Sequence, residues 1–335
     1  MRILVIGGTG FIGVPLVRGL ARQGHSVTVF HRGATHPDLP AEHVLGERRD
    51  LAARAVETEV VIDLILSSGA QAEALIEAFR GRAGRIVAAS SMDVYRACGV
   101  LHGSEEGPPE PVPLTEESRL RSKLQTYPPA QLQMLSKIFG WLDDAYDKIP
   151  VERAVMSDPA LPGTVLRLPM IYGPGDHLHR FHPILKRMDD GRGAILFEES
   201  LAQWRSPRGY VENVAAAIAL AATSGAAAGR IYNVAETPAF SELEWARKIA
   251  AATGWAGEFV TLPKERTPAH LRAPGNTAQH WEADSGRIRR ELGYREPVLL
   301  EDAICRTIEW ERANPPGEFN PHRFDYAAED AAIAD

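Results

Sequence analysis

Arg2-Ile-Leu-Val-Ile6, followed at once by Gly7-Gly-Thr-Gly-Phe-Ile-Gly13, decides how the rest of the 335-residue chain reads. The first five residues form a continuous branched apolar run, the pattern of a strand buried on both faces. Val14 to Arg22 then has helical spacing, with Val14, Leu16, Val17 and Leu20 on its apolar side. A second strand, His25 to Phe30, stops at His31-Arg32-Gly33. Strand, glycine-rich turn, helix and strand open a dinucleotide-binding βαβ unit, in which helix N–H groups and the helix dipole receive a pyrophosphate. Gly7 permits the tight turn, Gly10 lets the backbone approach the phosphates, and Gly13 allows close helix–strand packing. Thr9, Phe11 and Ile12 complete this expected binding turn.

Working outward, Glu59 to Leu66 reads as a strand, Ala70 to Arg82 as a helix, and Gly84 to Ala89 as a strand closing on Ser90-Ser91. Continued alternation implies an α/β fold: a Rossmann-type, doubly wound parallel sheet. Residues 96–130, rich in Gly, Pro and Glu, read as an excursion. Leu132 to Ala154 returns to helix with an irregularity at Pro150, and Thr164 to Pro169 is a strand. Helices at Phe181 to Asp189, Val214 to Ala222, Glu242 to Thr253 and Leu299 to Ala313 follow, with short strands such as Arg230 to Val234. The expected organisation is a dinucleotide-binding domain over 1–175 and about 205–235, with a smaller C-terminal substrate lobe over 176–204 and 236–320. The Ala/Asp-rich tail, 325–335, is expected to be disordered.

Composition narrows the class. Hydrophobic residues make up 44% and charged residues 24%, as in a soluble globular protein. Thirty-seven basic against 44 acidic residues give −7 with no basic tract, which argues against a nucleic-acid partner. Two cysteines, Cys98 and Cys305, make no disulfide framework. The apolar run at Ile3–Ile6 is too short for a signal peptide and Val214–Ala222 too short for a membrane span. A cytoplasmic protein with a small-molecule partner is expected. Asp176-His-Leu-His-Arg-Phe-His182 contains an H-x-H pair that could ligate zinc, but its place after Tyr-Gly-Pro-Gly favours a substrate entrance, and no metal is expected.

The ordered motifs resemble the extended short-chain dehydrogenase/reductase superfamily, in an atypical branch of its NAD-dependent epimerase/dehydratase group. The resemblance rests on Gly7–Gly13, Ala88-Ala-Ser-Ser-Met-Asp-Val-Tyr95, Lys148-Ile-Pro-Val-Glu-Arg-Ala154, Leu166-Arg-Leu-Pro-Met-Ile-Tyr-Gly-Pro174, Arg208-Gly-Tyr-Val-Glu-Asn-Val214, Gly229-Arg-Ile-Tyr-Asn-Val234 and Glu291-Leu-Gly-Tyr-Arg-Glu-Pro297. It implies an enzyme that oxidises, reduces, epimerises or dehydrates a hydroxyl or carbonyl compound, with a nucleotide sugar as one substrate class and a homodimer as the assembly. The alternative is a non-catalytic NAD(P)-binding sensor or scaffold. An RNA-binding role, as in certain plastid relatives, is disfavoured by the acidic balance.

The resemblance also implies site residues. Asp50 matches an adenine-contacting aspartate, with a helix N-cap as its plain structural role. The second strand ends in His31-Arg32 rather than in the acid that would accept from the ribose of NAD. A guanidinium there favours NADP, with NAD as the alternative. Ser91 is the expected hydrogen-bond donor to the substrate oxygen, and Lys148 the lysine beside the nicotinamide ribose. The proton donor departs from the family pattern: Asp144 stands four residues before Lys148 and Tyr146 only two. On a regular helix Tyr146 would point away, but Pro150 is tolerated in a first turn, so the helix could begin near Asp147 and let Tyr146 fold back. Tyr146, Asp144 and neither remain open. Arg208 is the candidate for an anionic substrate group, Arg205 and Arg180 are alternatives, and His179 is placed at the substrate entrance.

Overall fold

The computed structural model describes residues 1–35, 37–54, 56–124, 127–317 and 321–334. Its centre is a seven-stranded parallel sheet. In chain order the strands of the structure are β1 (Arg2–Ile6), β2 (Ser26–His31), β3 (Glu42–Leu45), β4 (Thr58–Asp63), β5 (Ala83–Ser91), β6 (Gly163–Leu168), β7 (Met170–Tyr172), β8 (Ala194–Glu198), β9 (Arg208–Tyr210), β10 (Arg230–Asn233) and β11 (Glu258–Leu262). The large sheet runs β10-β6-β5-β4-β1-β2-β3, while β7 pairs with β9 and β8 with β11. All these pairings are parallel.

Alternation within the strands buries both faces of the sheet. Ile3, Val5, Val29, Ile62 and Val87 face one core, shared with Leu16, Val17 and Leu20 of the helix Gly13–Arg22. Leu4, Ile6, Val61, Ile86 and Val165 face the other, shared with Leu75 and Phe79 of the helix Gly69–Phe79 and with Val151 and Val155 of the helix Lys148–Val155. This is why the strands read as continuous apolar runs rather than as alternating ones. The chain winds outward from β1 in two directions, to β2 and to β4, and the crevice between those connections is where ligands bind in open α/β sheets.

Three expectations need correcting. The single helix read over 132–154 is two, Pro129–Ile138 and Lys148–Val155. Asp147 ends the gap between them as an N-cap, its Oδ1 accepting from the Ile149 N–H at 2.8 Å, and Pro150 sits in the first turn where its missing N–H is harmless. The short strands β3, β7, β8, β9 and β11 carry no clear period and were not expected. The tail, expected to be disordered, is instead a helix, Tyr326–Ala334. Its Glu329 is 1% exposed and takes hydrogen bonds from Arg187 (2.5 and 3.1 Å) and from His270 (3.0 Å). A composition reading misses a helix held by one buried ion pair.

Removing one partner of such a pair leaves an uncompensated buried charge, so Glu329→Gln is expected to cost about 3 kcal/mol of stability. Urea unfolding checks this; a midpoint equal to that of the unaltered protein would mean that the C-terminal helix contributes nothing.

Candidate active site

The glycine turn lies where β1 meets β4, with Ile6 in register with Asp63. A Cβ on Gly13 would sit 2.4 Å from the Gly7 carbonyl oxygen, so the helix Gly13–Arg22 can start this close to β1 only with glycine there. A Cβ on Gly10 would meet nothing nearer than the Gly7 oxygen at 3.5 Å, which leaves open space over the turn. No side chain caps the helix, with Ile12 at its N-cap, and no acid stands in its first turn. An uncompensated helix N-terminus beside open space fits a pyrophosphate. Thr9 accepts a hydrogen bond from Thr35 at its carbonyl (3.4 Å), and the Phe11 ring meets His177 edge-on.

At the end of β2, His31 is committed to the fold. Its Nδ1 accepts from the Gly33 N–H (3.2 Å), and its Nε2 lies 2.9 Å from His43 Nδ1. Arg32 is exposed and donates to the Gly140 carbonyl at 3.3 Å. Asp50 accepts from the Glu47 N–H at 2.9 Å, which makes it the third residue of a capping box rather than the N-cap. One feature of this end was absent from the sequence reading: Arg48 donates two hydrogen bonds, at 2.7 and 3.0 Å, to the fully buried Asp63.

Ser91, Tyr146 and Lys148 converge beyond the ends of β4 and β5. Ser91 closes β5, its hydroxyl accepting from the Asp93 N–H at 3.2 Å. Tyr146 lies in the irregular segment before the helix, folded inward and 9% exposed. Its hydroxyl donates to Asp93 Oδ2 at 2.8 Å. Lys148 is the first helical residue; its Nζ donates to the carbonyls of Leu66 and, at 3.2 Å, Ala89. That ammonium lies 5.1 Å from the Trp141 ring centre and 5.7 Å from that of Tyr146. Burial pushes the Lys148 pKa down to about 8. Burial and the neighbouring Asp93 push the Tyr146 hydroxyl well above the usual phenol range. Asp144 is exposed. Tyr95, the other tyrosine near Ser91, is buried, donating to Asn233 (2.6 Å) and accepting from Arg167 (3.0 Å), so it braces the core.

Asp93 and Trp141 were not singled out from sequence. The available signal was an acid inside the apolar run Met92-Asp93-Val94, since an acid is almost never fully buried without a role or a partner.

Each substrate-side candidate, Arg208 or its alternatives Arg205 and Arg180, is paired with a carboxylate within the chain. Arg208 is buried and donates to both oxygens of Glu242 (2.6 and 2.7 Å). Arg205 pairs with Glu244 at 3.2 Å, and Arg180 with Asp176 at 2.6 Å. His179 Nδ1 lies 2.7 Å from Glu311 and its ring stacks on Trp310. Among the described residues no group of three or more His, Cys, Asp or Glu side chains could hold a metal. An open cavity of about 560 Å³, lined by Glu198, Lys264, Asn276 and His280 among others, includes none of the catalytic candidates.

The profile of the NAD dependent epimerase/dehydratase family matches residues 3–118 and 145–235. The chain belongs to that family. Among curated relatives of this epimerase/dehydratase chain, the chloroplast stem-loop binding protein of 41 kDa b of Arabidopsis thaliana is 25% identical over 90% of this chain and 77% of its own. The 2-alkyl-3-oxoalkanoate reductase of Stenotrophomonas maltophilia is 28% identical over 91% of this chain and 98% of its own. Among solved structures, the UDP-glucuronic acid 4-epimerase of Bacillus cereus, in complex with UDP-glucuronic acid and NAD, superposes with a TM-score of 0.64. That match has 17% identity and covers 93% of this chain and 99% of the other. The family supports an NAD(P)-dependent enzyme of the epimerase, dehydratase and reductase kind rather than the non-catalytic alternative.

Positioned general acids contribute about a hundredfold to ten-thousandfold in rate. Steady-state turnover of Tyr146→Phe is accordingly expected to fall at least about a hundredfold, with Asp144→Asn within about twofold of the parent. Full activity in the Phe variant removes Tyr146 from the mechanism.

Proposed function

We propose an NADP-dependent enzyme that exchanges hydride and a proton with a hydroxyl or carbonyl group of a small molecule. The observation that carries this reading is that the Ser91 and Tyr146 hydroxyls both hydrogen-bond Asp93, beside the buried Lys148. A bound nicotinamide dinucleotide supplies or accepts the hydride. Gly7, Gly10 and Gly13 with the first turn of their helix would hold its pyrophosphate, and Lys148 would face the nicotinamide ribose once its ammonium turns from the Leu66 and Ala89 carbonyls. Ser91 orients the substrate oxygen, and Tyr146 gives or takes its proton. Tyr146 is 9% exposed, and a hydrogen bond in such a poorly hydrated place is strong.

NADP is preferred over NAD because Arg32 presents an exposed guanidinium where an acid would repel a 2′-phosphate. For the substrate, relatives include a UDP-glucose 4-epimerase and a dTDP-glucose 4,6-dehydratase, which keeps nucleotide sugars in view. The internal pairing of Arg208, Arg205 and Arg180 favours instead a compound without a diphosphate, since each guanidinium would have to leave a carboxylate to reach one. The lobe over 176–204 and 236–320 is proposed to receive that compound. A cytoplasmic location and a homodimer complete the reading, the first from the low cysteine count and the second from the resemblance.

Titration calorimetry tests the cofactor choice. NADP is expected to bind at least about tenfold more tightly than NAD, and Arg32→Ala to remove about 1.4 kcal/mol of NADP binding while leaving NAD unchanged. Equal affinities for the two dinucleotides would sink the preference. A screen of carbonyl compounds and nucleotide sugars, read by cofactor absorbance, tests the substrate class.

A further inference from the structure

At the Tyr146 hydroxyl stands a carboxylate. Asp93 is fully buried, and its Oδ2 accepts from two phenols, Tyr146 at 2.8 Å and Tyr127 at 3.3 Å. Its Oδ1 is buried with no hydrogen-bond partner. Lys148, whose charge would favour a phenolate, is turned to two backbone carbonyls and makes no hydrogen bond to the Tyr146 hydroxyl. We infer that Asp93 is a positioning residue that keeps Tyr146 a neutral phenol, so that the site donates a proton and the reaction it serves is the reduction of a carbonyl compound. This rests on Tyr146 being the proton donor.

Ionising Tyr146 would put a phenolate against a buried carboxylate, two like charges in a poorly polarisable interior. Burial pushes the Asp93 carboxyl up, but a carboxyl is a stronger acid than a phenol, so ionising Tyr146 adds a second negative charge to a pair that already carries one on Asp93. Lys148, pushed down to about 8, is still an ammonium at neutral pH but gives its protons to the Leu66 and Ala89 carbonyls. The other facing groups do not reverse it. Ser91 favours the phenolate, while Asp147, on the same segment, disfavours it and is itself paired with Arg121. Arg121 also donates to the Asp93 backbone carbonyl. Around Lys148, Asp63 is paired with Arg48 and Glu152 with Arg167, which leaves little net charge. On the far side, Cys98 adds a further group that disfavours ionisation of Tyr127.

The step balances as follows. A reduced nicotinamide is oxidised as its hydride forms a C–H bond at the carbonyl carbon. The π pair of the C=O moves to oxygen, which takes the hydroxyl proton of Tyr146, giving an alcohol. The phenolate left behind regains its proton from solvent through Asp93 and the half-buried Tyr127, whose hydroxyl shares Oδ2. The reverse reaction needs Tyr146 ionised in advance, so its rate at neutral pH is low and rises with pH.

The test reads Tyr146 in the free protein, with neither cofactor nor substrate. Phenolate absorbance, taken as the difference from Tyr146→Phe, is expected to show no ionisation of Tyr146 below about pH 10. Asp93→Asn, which keeps the shape and removes the charge, is expected to lower the midpoint by at least about one unit, a tenfold change in the ionisation constant. It should also raise alcohol oxidation relative to carbonyl reduction at neutral pH. An unchanged midpoint in Asp93→Asn, or ionisation of the unaltered Tyr146 below about pH 9, overturns the inference. Should that variant not fold, the Cζ chemical shift of labelled Tyr146 in the unaltered protein decides at neutral pH: a phenol supports the inference and a phenolate defeats it. If Tyr146 is not the donor at all, Tyr146→Phe keeps full turnover while these titrations are unaffected, so the two failures are read apart.

Discussion

The helix Gly13–Arg22 can approach β1 only because Gly13 has no side chain to strike the Gly7 carbonyl. That contact sets the helix N-terminus at the end of the central strand, where the sheet departs in opposite directions to β2 and β4. The candidate site residues are placed relative to it. Arg32 follows from β2, Asp63 from β4, Ser91 from β5, and the helix that begins at Lys148 packs on the helix Gly69–Phe79 behind them. A larger residue at 13 would move the helix and with it the amides that face the binding crevice.

Around this frame the chain buries charge in pairs. In Arg48 with Asp63, Arg121 with Asp147, Arg167 with Glu152, Arg187 with Glu329 and Arg208 with Glu242 the shortest hydrogen bond is 2.5 to 2.9 Å. Pairs of this kind contribute little net stability over apolar packing, yet each is costly to break singly. They therefore act as register pins for irregular segments. Arg121 and Asp147 tie the excursion after β5 to the start of the lysine helix, and Asp143 ties the preceding turn to Ser67, Ser68 and Gln71 at 2.9 to 3.1 Å. That is how Tyr146, without the usual helical spacing, is held beside Lys148.

The sheet, its parallel order and the glycine turn were legible because they are local. Branched apolar runs make doubly buried strands, and a turn that needs glycine announces itself. The split helix was legible only in part: Pro150 marked where the helix of Lys148 could begin, but the break after Ile138 was not read. Apart from β10, the short strands beyond β6 were not legible, being three to five residues long and defined by distant partners rather than by period.

The site divides in the same way. Residue order by itself determined the glycine turn between the first strand and helix, and the motif resemblance brought Ser91, Tyr146 and Lys148 forward as candidates. Only the tertiary structure decided that Asp93 faces Tyr146, that Trp141 covers Lys148, and that Arg208 is spent on Glu242. The physical reason is common to all three. A side chain's charge state and availability depend on which partners lie within hydrogen-bonding or van der Waals reach, and here those partners are 7, 34 and 53 positions away in sequence.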